Sequence, residues 1–283
     1  MTRVLCIGVA TLDIVNRVER YPREDDEVRA IAQARRMGGN AANTAVVLAQ
    51  LGADVAWAGN LPSAPGIVDD SFARYRVDAS FAVRITGATL PTSYITLSAE
   101  TGSRTIVHFR ELPEYRAADF LALDLGGFDW VHFEGRAIDE LALMLTRARS
   151  FAGLRVSLEV EKPRPGIEAL FEFADLALFS RDYAQSKGFA DAAALLRSLP
   201  RGLQASCTWG AQGAWAVERD GRLLHEPAPR LETAIDTIGA GDVFNAAMVQ
   251  AFRSGQTLGP ALQASVALAA AQCAREGLQL SDD

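Results

Sequence analysis

Short apolar runs recur along this chain, and longer amphipathic stretches separate them. Val4–Val9 reads as a buried strand. GGNAANTAVVLAQLG reads as a helix that begins near Asn40 and stops at Gly52. Val55–Ala58 is a further short strand, and the runs DWVHF, LRVSLEV, DLALF and LQASCTW each suit an interior strand. Helical patterns at Ile138–Ala148, Ile167–Phe173 and Ala190–Ser198 fall between them, and two more helices, about Gly241–Phe252 and Leu258–Ala274, close the chain. Strand and helix in turn mean βαβ units, hence an α/β fold with a mainly parallel sheet covered on both faces. A length of 283 residues suits one such domain, 1–283, with a small appendage.

Two stretches break the rhythm. DIVNRVERYP…DEVRAIAQARR and SYITLSAETGSRTIVHF alternate apolar and polar residues, the second around a turn at Thr101–Gly102. They read as hairpins with one wet face. A small antiparallel β-sheet is therefore expected to stand off the main domain, formed by about 13–36 and 82–110. It suits a lid over a site or a dimer contact, and equally plain edge strands.

Composition removes several function classes. The formal net charge is −7, which disfavours nucleic acid as a partner. No apolar run approaches the ~20 residues of a membrane span. The amino-terminal apolar stretch is short and reaches Asp13 early, unlike a signal peptide, so a cytoplasmic protein is expected. Cys6, Cys207 and Cys273 are far apart and form no CxxC pair, which argues against a zinc site or a disulfide framework. The only lysines, Lys162 and Lys187, follow Glu161 and Ser186, so no Walker A loop exists. Gly8 alone follows the first strand where GxGxxG needs three glycines, which weighs against a dinucleotide-linked oxidoreductase.

Two helices start on small residues. At Gly38-Gly39-Asn40 the backbone can turn sharply and approach a ligand, and Asn40 and Asn43 lie one helical turn apart. Their amides suit a ligand rich in hydroxyls, or Asn40 is a cap and Asn43 a solvated polar residue. At Gly239-Ala240-Gly241-Asp242 the orphan N–H groups and the positive helix end converge on small residues, an anion hole suited to a phosphoryl group. Asp242 there is either a helix cap or a base beside the phosphate, and the helix field is expected to keep its carboxylate ionised. A third run, CTWGAQGAWAV, could let a nucleotide lie against bare backbone at Thr208, Gly210 and Gly213, or form a hairpin turn.

Taken together, DTIGAGDVFNAA and GGNAANTAVVLAQLG resemble the two signatures of the ribokinase-like, or phosphofructokinase B, family of carbohydrate kinases, at a similar separation. The likeness covers essentially the whole chain. Within the family, TLDIVNRVERYPREDDEVR, GSRTIVHFRELPE, WVHFEGR, VSLEVEKPR and LLHEPAP are most similar to the ketohexokinase branch, fructokinases that form the 1-phosphate. The resemblance implies a three-layer α/β/α domain with a β-sheet lid, a homodimer whose lids clasp, ATP as donor and Mg2+ as helper. It implies that Asp13, Gly39, Asn40 and Asn43 bind sugar. Arg104 lies near the sugar or transferred phosphate, Gly239, Ala240 and Gly241 form the anion hole, and Asp242 is the catalytic base. Thr208, Trp209, Gly210 and Gly213 line the nucleotide, with Asn245 and Cys273 nearby.

Departures from the family pattern are specific. Ser180-Arg181-Asp182-Tyr183 stands where many members carry an Asn-x-x-Glu motif that organises magnesium, so the metal ligands are not assigned. Arg181 could instead face nucleotide phosphates. Glu134, Arg136, Glu159, Glu161 and Lys162 cluster after two strand ends, as ligand-binding groups or as a surface ion-pair group. His108, His132 and His225 are isolated, with His108 on a lid strand within reach of a sugar. Trp209 and Trp215 read as packing residues. The expected activity is ATP-dependent phosphorylation of a ketohexose primary hydroxyl. Kinases of another sugar, a sulfosugar or a nucleoside, and a binding protein without catalysis, stand as alternatives.

Overall fold

Six of the apolar runs become parallel strands of one sheet. The computed structural model describes residues 3–231 and 235–280; residues 232–234 and both ends of the expected 1–283 domain lie outside them. The first half runs β1 (Arg3–Ile7), β2 (Thr11–Val18), β3 (Ala32–Gly38), α1 (Asn40–Gln50), β4 (Asp54–Ala58), β5 (Asn60–Pro62), α2 (Ile67–Tyr75), β6 (Val83–Ile85), β7 (Thr92–Ser98) and β8 (Arg104–Phe109). The second runs α3 (Ala117–Leu121), β9 (Phe128–Glu134), α4 (Ile138–Arg149), β10 (Arg155–Val160), β11 (Leu176–Phe179), α5 (Arg181–Ser186), α6 (Ala192–Ser198), β12 (Gln204–Thr208), β13 (Ala214–Val217), β14 (Leu223–Glu226), α7 (Ala240–Arg253) and α8 (Leu258–Cys273).

The main sheet has the order β14-β13-β12-β11-β10-β9-β1-β4, parallel from β4 to β12 and closed by the antiparallel β13 and β14. Strand pleating sends alternate residues to opposite faces. Leu5 and Ile7 meet Val131, Phe133, Leu141 and Met144 on one face, while Val4 and Cys6 meet Val46, Trp57, Phe244 and Val249 on the other. Two apolar layers therefore flank the sheet, which makes the three-layer α/β/α arrangement. Ile167–Phe173, expected as a helix, is a 3-10 helix. Gly166 leads in with a left-handed φ of 84° and the chain extends again at Ala174, which keeps the segment short, the regime of that tighter coil.

The second sheet has the order β3-β2-β7-β8. Each expected hairpin is antiparallel, β2 with β3 and β7 with β8, and a parallel pairing of β2 with β7 joins them. Gly102 supplies the left-handed residue, φ 68°, of the turn between β7 and β8. Asp13, Ser93 and His108 are register partners across three strands, so they share one face. β6 does not join this sheet but pairs with β5 in a separate ribbon.

Candidate active site

The carboxyl ends of β1, β9 and β10 converge on the amino ends of α1 and α7, the edge where parallel α/β sheets place ligands. Gly39 turns the chain from β3 into α1 with φ 97°, and a Cβ there would collide with the Val9 carbonyl. This brings the first turn of α1 against α7. Asn43 donates from Nδ2 to Asp242 Oδ2 at 2.7 Å, and both residues are buried. Asn40 donates to Glu159 Oε1 at 2.9 Å and to Glu161 Oε2 at 3.2 Å. The two amides that sequence spacing placed one turn apart are thus each bound to carboxylates.

Asp242 departs from expectation in its ionisation. Burial, followed by the charges of Glu161, Glu134 and Asp13, raises its carboxyl well above the usual range, against the bond from Asn43. Glu159 is raised for the same reasons, burial first and Asp242 next. The field of α7 was expected to keep Asp242 ionised; desolvation and a crowd of carboxylates outweigh it. The physical reason lay out of view in the sequence, because Glu134, Glu159 and Asp242 come from three separate elements.

Around Asp242 the glycines leave the start of α7 free of side chains, and a Cβ on Gly239 would meet Leu278. Gly239 has φ 80°, and a Cβ on Gly241 would meet nothing within 4 Å. Gly241 and Asp242 occupy the first turn of α7, where N–H groups have no acceptor one turn back in the helix. The approach to this turn is held from several sides. The buried Asp236 pairs with Arg36 of β3 and accepts from the N–H groups of Ile238 at 2.9 Å and Gly277 at 3.3 Å. Arg104 of β8 donates to Thr237 Oγ1 at 3.0 Å. Both edge strands of the small sheet therefore reach the loop before α7. Cys273 contributes its carbonyl, which accepts from the N–H groups of Ile235 at 2.8 Å and Asp236 at 3.2 Å.

On the small-sheet side, Asp13 is buried and accepts from Thr11 Oγ1 at 2.8 Å. Gly38, marked in the sequence only as part of the Gly38-Gly39-Asn40 turn, leaves room for that carboxylate, because a Cβ would overlap it. His108 approaches Ser93 Oγ at 3.3 Å, and burial together with Arg136 and Arg110 lowers its pKa. On the far side, Thr208 ends β12 and Trp209 is buried as a packing residue. Arg181 Nη1 lies 3.4 Å from where a Cβ of Gly210 would stand. Gly213 has a packing reason of its own: φ is 87° and a Cβ would strike the Glu226 carbonyl. Asn245 lies three residues after Asp242 on α7, buried on the same side of the helix.

The cluster after β9 and β10 is no loose surface group. Glu134 and Glu159 are buried, and Glu134 Oε2 accepts the N–H of Val9 at 2.9 Å. Gly8 is small because its Cβ would lie 2.5 Å from that same oxygen. Arg136 reaches Glu134 at 3.4 Å and Glu114 at 2.8 Å. His132, isolated in sequence, is bonded to Ser157 Oγ at 2.9 Å. The signal for this layer was present: Trp130, His132 and Glu134 recur at a period of two in β9, as do Ser157 and Glu159 in β10. Among the described residues no three His, Cys, Asp or Glu are placed to hold a metal ion, and no helix is long and apolar enough to cross a membrane.

An α/β/α core with a small β-sheet across the helix-start cradle defines the ribokinase-like class. The chain superposes on ribokinase from Cryptococcus neoformans in complex with ADP at a TM-score of 0.81 and 20% identity, covering 98% of this chain and 96% of that one. It superposes on a Burkholderia thailandensis nucleoside kinase in complex with inosine at 0.77 and 18% identity, covering 98% and 92%. Residues 1–283 match the pfkB family of carbohydrate kinases, and the chain belongs to that family. It is 36% identical over 291 residues to mouse (Mus musculus) ketohexokinase, with 97% of each chain covered. The protein is accordingly a phosphotransferase, a carbohydrate kinase.

Proposed function

We propose that this carbohydrate kinase transfers the γ-phosphoryl group of ATP to a primary hydroxyl of a ketohexose, giving a fructose-like 1-phosphate. The observation that carries the reading is Asp242: a buried carboxyl, held by Asn43 at 2.7 Å, beside an unobstructed Gly241 in the first turn of α7. The likeness to mouse ketohexokinase supports the acceptor class.

The residues would suit a nucleoside triphosphate at one end and a polyol at the other. First-turn N–H groups of α7 and the guanidinium of Arg104, 3.0 Å from Thr237, would receive the transferring phosphoryl group. Thr208, Gly210 and Arg181 would border the nucleotide, with Asn245 and Cys273 closer to α7. When bound, ATP supplies the phosphoryl group and magnesium offsets its charge. With no protein cluster of three metal-binding side chains among the described residues, the ion would be carried chiefly by phosphates and water. Asp13, Asn40 and Asn43 would orient the sugar through its hydroxyls. Asp242 in its ionised form would take the proton of the attacking hydroxyl; burial raises its pKa, so the fraction ionised falls while the carboxylate that is present is the stronger base. The sheet of β2, β3, β7 and β8 would act as the lid that keeps water from the phosphoryl group.

The test is an acceptor panel read by ADP release, with fructose beside ribose, sulfonated sugars and nucleosides. Fructose should give the highest kcat/KM, and NMR of the product should place phosphate on C1. Preference for a nucleoside or for ribose would reassign the acceptor.

A further inference from the structure

Behind Glu159 lies a buried polar chain that the phosphoryl-transfer reading does not use. Trp130 Nε1–H donates to Ser157 Oγ at 2.8 Å, and the same hydroxyl meets His132 Nδ1 at 2.9 Å. Trp130, Ser157 and His132 are all fully buried. Indole N–H is only a donor, so it occupies an acceptor position of the hydroxyl. The hydroxyl has one proton to give, and giving it to Nδ1 leaves the ring proton on Nε2. Burial lowers the pKa of His132 to about 4, which keeps the ring neutral.

Nε2 faces Glu159 Oε2 across 4.0 Å. Neither atom has a hydrogen-bond partner among the described residues, though both are buried. Such orphaned pairs are rare in native interiors. The separation exceeds a formed hydrogen bond, so the two groups face each other without one in this structure. The other oxygen of Glu159 already holds the Asn40 amide nitrogen at 2.9 Å, and Glu161 holds that nitrogen as well at 3.2 Å. With its N–H groups so occupied, Asn40 has only its carbonyl oxygen left to offer.

We propose that His132 is a positioning residue: its Nε2–H holds Glu159, Glu159 holds the Asn40 amide, and Asn40 thereby presents Oδ1 as an acceptor for a sugar hydroxyl. The chain starts in the sheet interior, at Trp130 and Ser157, and ends at a ligand-facing side chain. It would favour acceptors that donate a hydroxyl proton at this point over analogues lacking that hydroxyl. The last step rests on the sugar-kinase reading; the His132–Glu159 contact does not.

Two measurements separate these dependencies. Long-range 1H–15N correlation on the unmutated protein should show His132 as the Nε2–H tautomer throughout pH 6–8, with the ring losing that single tautomer in Ser157→Ala. An Nδ1–H tautomer, or a ring that titrates in this window, overturns the proposal whatever the substrate proves to be. Kinetics with ATP and fructose should then show His132→Leu raising KM for fructose roughly tenfold. KM for ATP should be unchanged, and His132→Gln, which keeps an N–H near the Nε2 position, should restore KM to within about threefold of the starting value. Equal losses for Gln and Leu, or a rise in both KM values together, would mark His132 as packing alone. If fructose is not phosphorylated by the unmutated protein, the ketohexose assignment fails while the tautomer result still decides the contact.

Discussion

Asp242 joins two properties that a surface helix cap does not combine. It stands in the first turn of α7, where N–H groups attract anions, and it is buried with the charges of Glu161, Glu134 and Asp13 acting on it. Replacing it by Asn keeps the shape and removes the carboxyl proposed as the base. Turnover should fall by roughly 10²–10⁴-fold, with nucleotide affinity nearly intact by calorimetry; near-normal turnover would exclude it as the base. The same carboxyl dictates how stability varies with pH. Its folded-state pKa stands above the unfolded value near 3.8, so the folded chain keeps a proton that the unfolded chain has lost. Where the folded state binds more protons, stability falls as pH rises. The contribution of Asp242 therefore falls from about pH 4 upward toward the raised folded value, while that of His132, lowered to about 4 by burial, rises over the lower part of the same range. Asp242→Asn should flatten that slope and raise Tm at pH 8. A Tm difference between Asp242→Asn and the unmutated protein that stays constant between pH 5 and 8 would contradict the burial argument.

At the scale of elements, the junction from β3 to α1 does two jobs with adjacent glycines. Gly39 makes a left-handed turn against the Val9 carbonyl, while Gly38 leaves the space that the Asp13 carboxylate fills. A methyl group at position 38 would meet the mobile end of a side chain, so Gly38→Ala should displace Asp13 more than it unfolds the strand. The expected result is a loss of roughly 10–100-fold in kcat/KM for the sugar with a nearly unchanged Tm. A large drop in Tm with normal kinetics would place the constraint in the backbone instead. This role was invisible in sequence, because the carboxylate that needs the space lies 25 positions earlier, on β2.

For the whole molecule, the small sheet has two contrasting faces. Asp13, Ser93 and His108 share the face toward the site, whereas Tyr94, Val107 and Phe109 alternate onto the other and are exposed. An exposed apolar patch of this kind on a small sheet favours association with a second copy. We propose a homodimer formed through these faces, with sedimentation velocity expected to give twice the chain mass. Val107→Asp with Phe109→Asp should shift it to the monomer. A monomer at micromolar concentration before mutation would remove the clasped-lid arrangement.

Much of the framework could be read from one dimension. Short apolar runs located β1, β4 and β9 to β12, period-two alternation located β2, β3, β7 and β8, and helical patterns located α1, α4, α7 and α8, since run length and period follow from backbone geometry. Glycine at helix starts marked Gly39 and Gly239-Ala240-Gly241-Asp242 for a similar local reason. Tertiary structure alone decided the pairing of β2 with β7, the meeting of Asn43 with Asp242 across 199 positions, and the upward shift of the Asp242 pKa. Dihedral preference and side-chain period act between neighbours along the chain. Desolvation, charge crowding and the closing of a hydrogen bond depend on distances that exist only after the chain has folded.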